Sequence, residues 1–157
     1  MGGYQTFLVL GAIVLLALLA LTVHRTILSS SDSIFDAECI IEANNTAQQI
    51  VDEIMMKSFD EAVANGTATD ESSFSSVLGP EAGETLPNYD DIDDYQGSQT
   101  SVQQVSGVFQ TQVVVNYVNP ASPDAVSAAR TRIKRILVNV FSTTLPDTLR
   151  LYYYSSY

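Results

Sequence analysis

The spacing of apolar and polar residues changes twice along the chain, and each change marks an element. From Tyr4 to Val23 there is no alternation. Leu, Val, Ile and Ala occupy every helical face, polar side chains sit only near the ends, and no residue is charged. Twenty such residues rise about 30 Å as a helix, the thickness of a bilayer's hydrocarbon core. A helix apolar on all sides in so small a protein predicts a membrane span, placed at 4–28. From Ile34 to Val63 the pattern becomes helical and one-sided. Ala37, Ile40, Ile41, Ala47, Ile50, Val51, Ile54, Met55, Phe59, Ala62 and Val63 recur at three- and four-residue steps, with Asp36, Glu42, Gln49, Asp52, Glu53 and Asp60 largely outside the stripe. Asn65-Gly66 is a helix stop, because both residues tolerate the left-handed conformation. An amphipathic helix is therefore expected over 29–66. The patch Ser29-Ser30-Ser31-Asp32 either separates it from the span or is crossed by one continuous helix.

The stretch 67–100 carries Gly79-Pro80, Gly83, Pro87-Asn88 and Gly97, and reads as a long acidic loop. Beyond it the period falls to two. Val108–Val118 places Phe109, Thr111, Val113, Val115 and Tyr117 on one face. Arg132–Ser142 does the same with Lys134, Ile136, Val138 and Val140, and Thr148–Tyr157 with Leu149, Leu151 and Tyr153. Asp124–Ala129 is expected as a helical turn. Strands joined by short turns predict an antiparallel sheet over 101–157 whose apolar face needs a cover. The fold class is α+β: a long N-terminal helix, transmembrane then amphipathic, packed on a C-terminal antiparallel β-sheet.

Charge narrows the function classes. The 157 residues carry 18 acids against 7 bases, a net charge of -11. That excludes nucleic acid as a natural partner, because phosphate recognition needs a basic face. The charges are also segregated: eleven acids and no base lie between Ser58 and Ala129, and five bases with one acid between Arg130 and Arg150. These patches can pair internally or between stacked subunits. The single cysteine, Cys39, permits no intramolecular disulfide, and the single histidine, His24, sits at the membrane boundary. No Ser-His-Asp set, Cys-His pair or zinc ligand set can be assembled, so no catalytic residue is assigned and a non-enzymatic role is expected. Asp90, Asp91, Asp93 and Asp94 offer four carboxylates within five residues, enough oxygens to hold calcium. The same run serves equally as a solvated loop or as caps for backbone amides, and no other cofactor is implied. Tyr152-Tyr153-Tyr154 and Tyr157 suit either strand packing or a contact surface.

A secretory signal peptide fits the N-terminus poorly, since no small-x-small cleavage site follows the apolar run. Met1-Gly2-Gly3 instead resembles a short prepilin leader, and the order of apolar helix, amphipathic extension, loop and sheet resembles type IV pilins and the pseudopilins of type II secretion. Leu78-Gly79-Pro80-Glu81, Gly83-Glu84 and the run Tyr89-Asp90-Asp91-Ile92-Asp93-Asp94-Tyr95-Gln96-Gly97 resemble the D-type minor pilins of mannose-sensitive haemagglutinin pili. The resemblance implies cleavage of the 1–3 leader between Gly3 and Tyr4. It further implies insertion in the inner membrane with the C-terminal domain periplasmic or extracellular, and incorporation into a surface filament. The partners it implies are other pilins or pseudopilins, a prepilin peptidase and the pilus assembly platform, besides the lipid bilayer. Gly11, Ala12, Ala17 and Ala20 are then candidates for close helix packing. Two features depart from the family. Leu8 occupies the fifth mature position, where shaft pilins usually carry a glutamate, which favours a minor or tip subunit. The leader has no basic residue, and Arg25 lies at the far end of the span, against the positive-inside pattern. A membrane-tethered or tip adhesin, binding an external surface through the acidic loop and tyrosines, is the alternative.

Overall fold

The computed structural model describes residues 2–157. Its elements are one long helix, α1 (Gly2–Met55), a short helix, α2 (Glu61–Ala64), two 3₁₀ turns (Glu71–Ser73 and Asp93–Tyr95) and five strands. The chain divides into two compact units, one reaching Glu38 and the other Cys39–Tyr157.

In the first unit α1 buries nothing: the large apolar side chains from Phe7 to Leu28 are all exposed. Several of its hydroxyls bond its own backbone. Thr22 donates to the Leu19 carbonyl at 2.8 Å, Thr26 to Thr22 at 2.9 Å and Ser33 to Ser29 at 2.9 Å. Ser and Thr that bond the preceding turn in this way can stay in a helix. The serine patch is crossed without a break, and the apolar and amphipathic segments belong to one helix of 54 residues.

In the second unit the remaining length of α1 covers a sheet. The strands are β1 (Gln99–Gln103), β2 (Val108–Asn119), β3 (Ser122–Val126), β4 (Ile133–Phe141) and β5 (Leu149–Ser156). The order is β1-β2-β4-β5, with β3 pairing to β2, and all pairs are antiparallel. Strict alternation in β2 and β4 turns Phe109, Val113 and Val115, and Ile136, Val138 and Val140, onto Ala43, Ala47, Val51 and Ile54 of α1. Leu149, Leu151 and Tyr153 extend this core along β5. The three strand faces expected from period two are therefore the inward faces.

The stripe along α1 is rotated from the expected one. Cys39, Ala43 and Thr46 are buried with Ala47, Val51 and Ile54, whereas Ile40, Ile41 and Met55 are exposed. Small residues let the helix backbone approach the sheet, so shape outranks hydrophobicity in choosing the face. Ala47→Leu is expected to cost about 1–3 kcal/mol by overpacking, read as a lower urea midpoint with an unchanged slope. The exposed Ala37→Leu should change stability by no more than about 0.5 kcal/mol.

Three boundaries differ from expectation. The helix expected over 29–66 ends at Met55, because the Ser58 amide leaves the helix to bond the Asp90 carbonyl at 3.0 Å, while the Ser58 carbonyl accepts from Ile92 at 3.0 Å. Asn65-Gly66 therefore closes α2 rather than the long helix, with Gly66 at φ 68°. The loop expected over 67–100 runs into β1, a mostly polar edge strand of Gln, Thr, Ser and one Val that has no apolar alternation. In place of a helical turn over Asp124–Ala129 there is β3, which turns back through an Asn119 side-chain bond to the Ala121 amide at 2.9 Å. Its ladder has only the pairs Val118–Val126 and Asn119–Ser122, which lets an edge strand carry Pro123.

Candidate functional site

The residues singled out in the sequence fall into separate regions. Gly3, Tyr4 and Leu8 lie in the first turns of α1, with Tyr4 76% exposed. Met1 lies outside the described residues. Gly11, Ala12, Ala17 and Ala20 are all exposed. At about 100° per residue they spread around the helix, Gly11 lying about 120° or more from Ala17. They form no single small-residue stripe. The long apolar helix is consistent with membrane insertion by its length and composition.

The acidic run is organised by a buried base. Lys134 faces inward from β4 because it shares the period of Ile136, Val138 and Val140, and it is fully buried. Its ammonium spends all three protons: on the Phe59 carbonyl at 2.6 Å, on Asp60 Oδ2 at 2.9 Å and on Asp93 Oδ1. It also lies 4.6 Å from the Phe59 ring centroid and 5.1 Å from that of Tyr117. Asp60 is fully buried as well. It accepts from the Tyr117 hydroxyl at 2.8 Å and the Ser75 amide at 3.0 Å, and caps α2 through Ala62. Burial works to raise the Asp60 pKa, but the Lys134 ammonium outweighs it with help from Tyr117 and Ser75, so the carboxyl lies below its usual value. One ammonium cannot neutralise two carboxylates. Asp93 is left on the other side: burial, reinforced by the charge of Asp60, raises its pKa despite Lys134.

The four predicted calcium ligands do not converge. Asp93 is taken by Lys134. Asp91 Oδ1 accepts the amides of Asp93 at 2.7 Å and Asp94 at 3.1 Å. Asp94 Oδ2 accepts those of Asp90 at 3.0 Å and Asp91 at 3.2 Å. These reciprocal caps wind the run into the 3₁₀ turn Asp93–Tyr95. The carboxylates then sort into two groups that include residues distant in sequence, Glu61 with Asp90 and Asp91, and Glu81 with Glu84 and Asp94. Burial, with the neighbouring acids Asp93 and Asp94, pushes Asp91 up to about 8, and burial with Asp94 and Glu84 pushes Glu81 up to about 7. The flanking tyrosines are structural: Tyr89 and Tyr95 meet edge-to-face at 5.0 Å, and the Tyr95 hydroxyl donates to Glu53 Oε1 at 2.8 Å.

Among the described residues, the basic segment meets the acidic one through one surface ion pair, Arg132–Glu71, besides Lys134, and otherwise through backbone carbonyls. Arg130 donates to the Ser72 and Phe74 carbonyls, Arg132 meets Glu71 at 3.2 Å, and Arg135 donates to the Asp124 carbonyl at 2.8 Å. The terminal tyrosines split by strand alternation. Tyr153 faces α1, Tyr152 and Tyr154 are exposed on the opposite face, and Tyr157 packs on Phe59 and Phe74. Asp60, Lys134, Glu61, Glu81 and Glu84 were not singled out as site residues from the sequence. The one available signal was an inward lysine on β4, which demands a buried acid. Comparison with protein-family models, with curated proteins and with solved structures finds no match for this chain.

Proposed function

We propose that the chain is a minor type IV pilin-like or pseudopilin subunit. Its N-terminal helix holds it in the bilayer and then packs among similar helices as the subunit enters, or caps, an extracytoplasmic filament. The observation that carries this reading is the continuity of α1: one unbroken 54-residue helix is apolar and exposed over its first part and backs an antiparallel sheet over its last. A helix of this kind has apolar surroundings both in lipid and in a helical bundle, so passage between them need not expose it to water. Leu8 in place of an acid supports a minor or tip position, where no neighbouring amine requires a partner.

The reading predicts a mature N-terminus at Tyr4. Mass spectrometry of the membrane-extracted protein should find Met1-Gly2-Gly3 removed, and a retained Met1 defeats the cleavage. It also predicts an external domain. Cys39 is fully buried and Val105 is 98% exposed, so Val105→Cys supplies a single reactive thiol. An impermeant maleimide should label it in intact cells; labelling only after lysis reverses the topology. The adhesin alternative is supported by the exposed Tyr152 and Tyr154, and filament counts separate the two. Deletion should abolish or shorten filaments under the assembly reading and leave them intact under the adhesin reading.

A further inference from the structure

Three segments distant in sequence meet at Lys134. The Ser58–Asp91 bridge, with the Ser58–Asp90 and Ile92–Ser58 bonds, lays 58–60 beside the acidic loop, and β4 brings Lys134 to both. Lys134, Asp60 and Asp93 are all fully buried. The Phe59 and Tyr117 rings lie 4.6 and 5.1 Å from Nζ, so aromatic surface encloses the group. Lys134 and Asp93 are thus an amine and a carboxyl group held in contact away from water, 41 positions apart along the chain.

The two acids beside Nζ are not equivalent. Asp60 is well supplied with donors: Lys134 at 2.9 Å, the Tyr117 hydroxyl at 2.8 Å and the amides of Ser75 and Ala62 at 3.0 and 3.2 Å. It is held as a carboxylate, the form that takes up a proton. Asp93 is the reverse. Its Oδ2 is buried and makes no hydrogen bond. Burial, with the charge of Asp60, favours its neutral acid, whose hydroxyl can leave as water where a carboxylate oxygen cannot. Buried polar atoms normally find partners, so an orphaned acid oxygen next to an amine calls for an explanation.

We propose that Lys134 Nζ and Asp93 Cγ condense to a side-chain amide, an isopeptide bond, with Asp60 carrying the protons. An amine attacks only after losing its proton, and an adjacent base removes it. The Lys134 ammonium gives one proton to the Asp60 carboxylate, and the freed lone pair of Nζ attacks Cγ of the neutral Asp93 acid. As the tetrahedral intermediate collapses, Asp60 passes its proton to the departing hydroxyl and takes a second one from Nζ. An ammonium, a carboxylate and a carboxylic acid become an amide, a carboxylic acid and one water, with net charge unchanged. Holding the reactants together supplies an effective concentration on the order of 10⁵ M or more, and the enclosed site resists the reverse hydrolysis. The charges of the cluster are those of the chain before the bond closes. Closure removes the orphaned oxygen and the buried ammonium together. It ties β4 to the 3₁₀ turn Asp93–Tyr95, constraining the unfolded chain as a disulfide would, which Cys39 alone cannot do. The bond goes beyond the filament reading and does not depend on it.

The test is the mass of the full chain, purified folded in detergent and then denatured. It should be lighter by one water than its sequence requires for the same N-terminus. Trypsin cannot cut at an acylated lysine, so tandem mass spectrometry should find 133–135 joined through Lys134 to Asp93 of 58–130. Chain isolated in denaturant before it folds should have the full mass and lose water on refolding into micelles. Lys134→Arg, which keeps the charge, should stay at full mass. Asp60→Asn, compared at matched circular dichroism, should close about 10²-fold or more slowly after refolding. The mass of the parent decides the bond whether or not the variants fold. The proposal is overturned by a folded parent at full mass, by water lost without the 133–135 branch, by an equal cross-link in never-folded chain, by water lost from K134R, or by closure of D60N at the parent's rate.

Discussion

Lys134→Met is expected to destabilise the domain by about 3–5 kcal/mol, a large share of the few kcal/mol that hold such a fold. The loss does not measure the strength of the ion pairs. Removing the ammonium leaves Asp60 and Asp93 buried with no counter-charge, and both are fully inaccessible. Asp60 keeps the Tyr117 hydroxyl and the Ser75 amide, but Asp93 Oδ2 already makes no hydrogen bond and would lose the partner of Oδ1 as well. Asp60 also starts α2 and Asp93 starts the 3₁₀ turn, so the damage reaches both sides of the acidic loop. Urea unfolding of the detergent-solubilised chain, followed by tyrosine fluorescence, reads the change. The triple variant Lys134→Met, Asp60→Asn, Asp93→Asn should recover at least about half of the loss, since neutral amides keep the caps without stranded charge. A single variant within about 1 kcal/mol of the parent, or a triple variant no better than the single one, would sink this account.

Placing aspartate at both Val14 and Leu18 is expected to abolish stable membrane insertion. The two positions are one helical turn apart near the middle of the apolar segment, and both are exposed. Between Phe7 and Val23 there are twelve Leu, Ile, Val and Phe residues. At about 0.3–0.6 kcal/mol each they favour insertion by roughly 4–7 kcal/mol, and two central aspartates oppose it by about 5–7 kcal/mol. One aspartate should leave most of the protein in the membrane, so the effect is steep in the number of charges. Alkaline carbonate extraction decides the matter: the parent stays with the membrane pellet, and the double variant moves to the supernatant or is degraded. A double variant that remains fully in the pellet would falsify the reading of α1 as a bilayer-inserting helix. Because this test concerns insertion alone, it is independent of whether the subunit later joins a filament.

Periodicity carried much of the architecture. The apolar run from Tyr4 was legible as one long apolar helix, because length and lack of charge need no partner to be recognised. The inward faces of β2, β4 and β5 were legible because a pleated strand reverses direction at every residue, so Val113 and Ile136 declare their side without reference to any neighbour. Elements whose identity depends on contact were not legible. The edge strand β1 has no apolar alternation and forms by pairing Gln99–Gln103 with Gln112–Val108. The end of α1 at Met55 is set by the Asp90 carbonyl and the Ile92 amide, which are distant in sequence. The face of α1 is set by how closely Ala43 and Ala47 can approach the sheet, and not by where its isoleucines lie. The same division holds for the acidic loop. Composition alone announces a run of aspartates between tyrosines. Only the folded chain separates Asp93, drawn to Lys134, from Asp94, gathered with Glu81 and Glu84, because adjacent residues in a tight turn point in different directions and take their partners from different segments.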